Sequence, residues 1–163
     1  MMKNFYKILI IVIVIVILIF FAKNIFASIE ITEVMYNPKG GDTNLEWVEV
    51  YNNGQDRVDL SKWSISDFDT TWHYHGLVNY DIPSLESGNY AIIIRSSSTT
   101  VPNEFVSKWS NLNTVLFRAS FDLGNDEGRL ALSSDKKSVI SETIYNSSLG
   151  ASDDGNSLQK ING

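Results

Sequence analysis

The chain has 163 residues, with 13 Lys and Arg against 19 Asp and Glu, a net charge of −6 and no cysteine. The acid excess argues against a nucleic-acid-binding surface, because phosphate affinity rests mainly on clustered Lys and Arg. Without thiols there is no disulfide framework, so a folded domain must rest on its hydrophobic core.

The amino terminus carries the location signal. Lys3 and Lys7 precede an unbroken apolar run from Ile8 to Ala22, followed by Lys23, Asn24 and Ile25-Phe26-Ala27-Ser28. A basic start, an apolar centre and a small residue before a polar chain make a secretory signal. The run is 15 residues long, whereas roughly 20 span a bilayer comfortably. Ile25 and Phe26 would extend it into a tilted anchor. Residues 1–28 are therefore either a signal peptide cleaved after Ala27 or a retained membrane anchor, and both alternatives stay open. More basic groups precede the run than follow it, which keeps the start cytoplasmic and exports the remainder. The expected location is outside the cytoplasmic membrane, secreted or anchored to its outer side. A type IV prepilin does not fit, since no Gly precedes the run and no acid interrupts it.

The remainder carries ten basic residues against all 19 acids, a net charge of −9, in one domain-sized stretch. Ile29–Met35 alternates and predicts a strand, with Ile29, Ile31 and Glu33 on one side and Glu30, Thr32 and Val34 on the other. The turn formers of 37–42 end it. Leu45 to Tyr51 is rich in strand formers, with Val48 and Val50 on one face and Trp47, Glu49 and Tyr51 on the other. Val58, Leu60, Trp63 and Ile65 mark the next segment, bent at Ser61-Lys62. Trp72 to Tyr80 is a further strand, and Tyr90 to Arg95 is the most strand-like run of all. Glu104 to Trp109 predicts a short helical turn. Strands over Val115–Phe117, Gly128–Leu132, Ser138–Tyr145 and Ser157–Lys160 complete the series. About eight short strands with frequent turns point to an all-β sandwich.

A specific resemblance lies in the order of several motifs. Ile31-Thr32-Glu33-Val34-Met35-Tyr36-Asn37-Pro38 is followed by Glu46-Trp47-Val48-Glu49-Val50-Tyr51-Asn52. Then come Val58-Asp59-Leu60, Trp63-Ser64-Ile65-Ser66-Asp67, Ile82-Pro83-Ser84-Leu85 and Gly88-Asn89-Tyr90-Ala91-Ile92-Ile93. Leu123 to Leu132 and Gly155 to Lys160 follow in turn. Over residues 29 to 160 the chain resembles the lamin-tail domain family, in its bacterial exported form. The resemblance implies an immunoglobulin-like β-sandwich over 29–163 and no catalytic residues. It also implies more chain: bacterial members often continue into a tryptophan-bearing segment where this sequence has Ile161-Asn162-Gly163. Either the last strand is dispensable or, as the favoured expectation, the chain is a fragment of a longer protein, truncated at its C-terminus.

Candidate sites follow from side-chain chemistry. His73 and His75 are the only histidines, and their alternation points both rings to one face. With Asp67 or Asp69 as a third ligand they would suit zinc or another transition metal. No Cys or further His completes that shell, so neither a metal nor a cofactor is expected. The plainer reading is an edge strand with Trp72 and Tyr74 packed inward and the histidines in solvent. Asp67-Phe68-Asp69, Asp122 with Asn125-Asp126-Glu127, and Asp153-Asp154-Gly155-Asn156 are calcium-like acidic turns that also serve conformation alone. Glu46 and Glu49 stand three apart, on opposite faces of a strand, and read as surface residues unable to share one substrate. Neither histidine has a nucleophile context, and no G-x-S-x-G elbow occurs. Among the tryptophans, Trp63 reads as buried and Trp109 as partly so, and Trp72 with Tyr74 is the best exposed platform for a carbohydrate or peptide.

The sequence thus reads as a non-catalytic, exported interaction or structural module that recognises a protein or polysaccharide partner, with a membrane contact only through an uncleaved N-terminal segment. Two alternatives stand beside it: the targeting module of a larger secreted hydrolase such as a nuclease, and a calcium- or zinc-dependent adhesion module.

Overall fold

The computed structural model describes residues 29–68, 71–110 and 113–160. The N-terminal signal or anchor lies outside these residues, as do Asp69 and the last three positions.

Among the described residues, twelve strands form two facing sheets and one small pair. They are β1 (Ile29–Met35), β2 (Trp47–Asn52), β3 (Val58–Asp59), β4 (Ser64–Phe68), β5 (Trp72–Gly76) and β6 (Val78–Asn79), then β7 (Ser84–Leu85), β8 (Tyr90–Arg95), β9 (Val115–Ala119), β10 (Glu127–Ser133), β11 (Ser141–Asn146) and β12 (Leu158–Gln159). Among the described residues one α-helix, α1 (Asn103–Lys108), interrupts the series. The larger sheet runs β12-β1-β2-β8-β9-β6 and the smaller β11-β10-β4-β5, while β3 pairs with β7. All pairings are antiparallel except β8 with β9.

The main core lies between the sheets, where Ile31, Val34, Val48, Val50, Ile93 and Phe117 from one meet Ile65, Leu130, Leu132 and Tyr145 from the other. A second cluster covers the outer side of the larger sheet, where α1 places Phe105 against Met35, Trp47, Ile92 and Ile94. Trp109 packs edge-on against Trp47 at a centroid distance of 5.9 Å. Trp63 is buried in the main core, and Trp109 is half-buried, as their sequence context suggests.

Two expectations are corrected. Strict alternation in β1 would separate Ile31 from Val34, yet both face the core. A bulge between Ile31 and Glu33 shifts the register against β2 and leaves Thr32 as the extra residue. Such an insertion reverses the side-chain parity beyond it. Likewise, Trp72 to Tyr80 is not one strand. At buried Leu77, whose N–H donates to the Trp63 carbonyl at 2.9 Å, the chain leaves the smaller sheet as β5 and enters the larger one as β6. A side chain buried on the way across holds the crossing.

Candidate functional site

Polar side chains from both sheets meet at one end of the sandwich. Glu46, just before β2, shares the parity of Val48 and Val50 and so points inward with them. It is 1% exposed. The reading of Glu46 as a surface residue is therefore wrong, and parity along β2 was the signal that would have placed it. Arg95 ends β8 and forks between the sheets: Nη1 lies 2.9 Å from Glu46 Oε2, and Nη2 lies 2.6 Å from Asp122 Oδ1. Its Nε donates to the Phe121 carbonyl at 3.0 Å. The Glu46 contact is close but not aligned as a hydrogen bond, so Oε2 has no directed donor.

Burial pushes the Glu46 carboxyl up to about 8, with Arg95 pulling the other way and Asp42 and Asp122 adding to the rise. Burial prevails because Arg95 is shared with Asp122 and is itself a third exposed, which weakens its hold on either partner. Tyr145, facing this end from β11, is likewise raised by burial, with Glu46 adding and a Gly124 backbone hydrogen bond opposing. Its ring stacks on Tyr36 at 4.7 Å, and the Tyr36 hydroxyl donates to the Gly150 carbonyl at 2.5 Å. Gly128 lies opposite Tyr145 in the β10–β11 ladder, and a Cβ there would overlap the phenol.

The network continues to the histidines. The Asp122 N–H donates to Asp67 Oδ2 at 2.7 Å. That carboxylate lies 3.3 Å from His75 Nε2 and 3.6 Å from His73 Nδ1. Asp67 pairs with His73 across β4 and β5, and core residue Ile65 pairs with His75. Facing residues share a side, so both rings point towards the opposite sheet. The expected arrangement, with Trp72 and Tyr74 inward, is thereby reversed. His73 remains exposed at 53% of its side chain, while His75 is mostly covered. Trp72 and Tyr74 lie half-buried on the outer side. There the Arg129 guanidinium sits 4.9 Å from the Trp72 ring centre, and Phe68 packs at 4.8 Å.

Among the described residues, no group of three or more His, Asp or Glu side chains is arranged to hold a metal. Of the acidic turns, Asp122 belongs to the network just described, and Asp154 caps its own turn by accepting from the Asn156 N–H at 2.8 Å. Glu46 and Glu49 do point apart, Glu49 accepting a hydrogen bond from Thr32 Oγ1 at 2.8 Å on the outer side.

Two hollows flank β11. A cleft of about 610 Å3 at the loop end is lined by Asp67, His73, Asp122, Glu127, Arg129 and Ile144, among others. A second hollow of about 300 Å3 opens between the sheets, with Ile31, Val34, Leu149 and Leu158 facing Ile144 and Tyr145. Of the eight exposed large apolar side chains among the described residues, four (Val139, Ile140, Ile144 and Leu149) fall within this stretch. The sequence reading missed it, because Ser138–Tyr145 was read only as a strand.

No curated protein sequence matches the chain. Residues 25–148 match the Lamin Tail Domain family, a family of non-catalytic immunoglobulin-like interaction domains, and the facing β-sheets agree with that fold. With most of its length inside the match, the chain belongs to the lamin tail domain family.

Proposed function

We propose that this protein is a non-catalytic interaction module exported across the cytoplasmic membrane, released after Ala27 or held at the outer surface by residues 1–28. One observation carries the recognition role: the side chains that chemistry would need are tied to one another, while four exposed apolar side chains fall between Val139 and Leu149, before, in and after β11. Asp67 serves two histidines, and Arg95 serves two carboxylates. By contrast, Ile144 and Leu149 stand 68% and 66% exposed. Both line the hollow between the sheets, and exposed apolar side chains beside such a hollow suit a place for a partner. The basic, apolar and small-residue order of the N-terminus supports export. No helix among the described residues is long and apolar enough to cross a membrane, so retention at the membrane would fall to the N-terminal segment.

Export is tested by fusing alkaline phosphatase, which is active only outside the cytoplasm, behind Lys160. Full-length fusions should be active, and fusions lacking residues 2–27 inactive. An inactive full-length fusion, with intact fusion protein in the cytoplasm, would overturn the exported reading. Cell fractionation of the untagged chain then separates release from anchoring.

A further inference from the structure

β11 is a six-residue edge strand whose outer side pairs with nothing among the described residues. The Ser147 N–H donates to the Asp126 carbonyl at 2.6 Å just beyond the Glu127–Asn146 pair. Antiparallel ladders alternate bonded and unbonded pairs, so Ser141, Thr143 and Tyr145 bond inward to β10. The N–H and C=O groups of Glu142 and Ile144 point away from the sheet. Ser141–Asn146 contains no Pro and no Lys, the usual devices against added strands, and its one charge, Glu142, is taken up by Arg129.

We propose that β11 is a docking edge for an extended basic peptide, which adds as a fifth strand to the smaller sheet. The proposal rests on the interaction-module reading and names its site and partner chemistry. Two features set the partner. Side chains of an added strand alternate between the two sides of the sheet. One set would enter the hollow lined by Ile31, Val34, Leu149 and Leu158, which calls for apolar residues. The other set would lie beside Ile144, at the mouth of the cleft that holds Asp67, Asp122 and Glu127. The one Arg of that cleft, Arg129, is already paired with Glu142. Asp122 is paired with Arg95 and Asp67 lies beside two histidines, so the acid of that cleft without an ion-pair partner among the described residues is Glu127, and the domain around it carries nine more acids than bases. Lys or Arg at alternate positions of the peptide complements it.

The probe is a set of fluorescent dodecapeptides titrated against the full chain. One alternates Lys with Val, one alternates Glu with Val, and one is the Lys peptide N-methylated at every second backbone nitrogen. The Lys peptide should bind at least tenfold more tightly than the Glu peptide. N-methylation on the bonding register should abolish binding, and Glu127→Lys should narrow the preference between the two charged peptides. Because charge alone would attract any basic peptide, Ile144→Pro supplies the second arm. It removes an outward N–H that β10 does not use and should abolish binding, while Ile144→Thr, which keeps that N–H, should retain most of it. Equal affinity for Lys and Glu peptides, undiminished binding of the methylated peptide, or dimerisation of the chain through β11 that excludes peptide would each overturn the proposal. None of these results bears on the alkaline phosphatase readout, so failure here and failure of export are separate outcomes.

Discussion

Replacing Glu46 by Gln asks in which protonation state the buried carboxyl exists. Burial sets the group at about 8 against an ordinary value of 4.5. A carboxyl raised on folding contributes its full stability below the unfolded value, here about pH 4.5, and loses it as pH climbs through the folded value. At about 1.4 kcal/mol per pH unit, full ionisation would cost roughly 5 kcal/mol. That is a ceiling, since Arg95 at 2.9 Å and entering water can both soften the charge. A cost near 3 kcal/mol is the working expectation. Gln has the shape of the neutral acid and does not titrate. Urea unfolding of both proteins should therefore give matching stabilities at about pH 4, below the unfolded value, within about 0.5 kcal/mol. At pH 9 the variant should be more stable by about 3 kcal/mol. Comparing the two proteins cancels every other group that titrates between those values. The opposite model is an ionised, well-matched ion pair, whose disruption costs about 3–5 kcal/mol. A variant weakened by that amount at pH 9 would refute the reasoning and make Glu46–Arg95 a conventional buried salt bridge.

Three other outcomes follow from the packing. Gly128→Ala would drive a methyl into the Tyr145 phenol and should cost about 1–3 kcal/mol, seen as a lower urea midpoint with unchanged slope. Phe117→Ala empties a fully buried ring site between the sheets and should cost about 3–5 kcal/mol in the same assay. Asp135 sits in the turn before β11, where the Lys137 and Ser138 N–H groups donate to it at 2.8 and 2.7 Å and hold its carboxyl down to about 2. A depressed value means the turn is favoured above the unfolded value near 3.8 and loosens as pH falls through about 2. The amide signals of Lys137 and Ser138 should move together in that range, and should already be shifted at neutral pH in Asp135→Ala.

Much of the sandwich was legible because strands and turns announce themselves locally. Val48 and Val50 alternate with Trp47 and Glu49, and both sets land where alternation puts them. The bend at Ser61-Lys62 is a single helical turn of Leu60–Lys62. Legibility stopped where a distant residue decides the outcome. The β1 bulge depends on pairing with β2, and the break at Leu77 depends on a second sheet waiting for the chain. Arg95 and Asp122 lie 27 residues apart and meet only when β8 and the segment after β9 are side by side. Glu46 was misplaced for another reason: composition favours a solvated carboxylate, and that prior outweighed a parity that pointed inward. The spacing of the histidines puts both on one face, but that face turns towards the opposite sheet beside Asp67 and not to solvent, as the plainer reading had it. Trp72 looks like a core former until Arg129 and Phe68 are seen packed against it on the outer side.

The treatment of the sheet edges separates architecture from recognition. The larger sheet ends in β12 and β6, each only two residues long, too short to template an added strand. On the smaller sheet, β5 runs through Leu77 into β6, so the chain itself crosses from that edge to the other sheet. The polar network at the loop end ties the sheets together through Arg95 and Asp122 and keeps its charges occupied. Among the edge strands of the two sheets β11 is the longest, six residues against five for β5 and two for β12 and β6, and it is flanked by a hollow on each side. Its outward positions are Glu142, Ile144 and Asn146, and the one charge among them is already paired with Arg129. A fold that needed this edge only for stability would gain nothing from Ile144 in water, because exposed positions tolerate a lysine there at little cost. An isoleucine 68% exposed on an unpaired strand is better accounted for by a surface that is covered when the protein works.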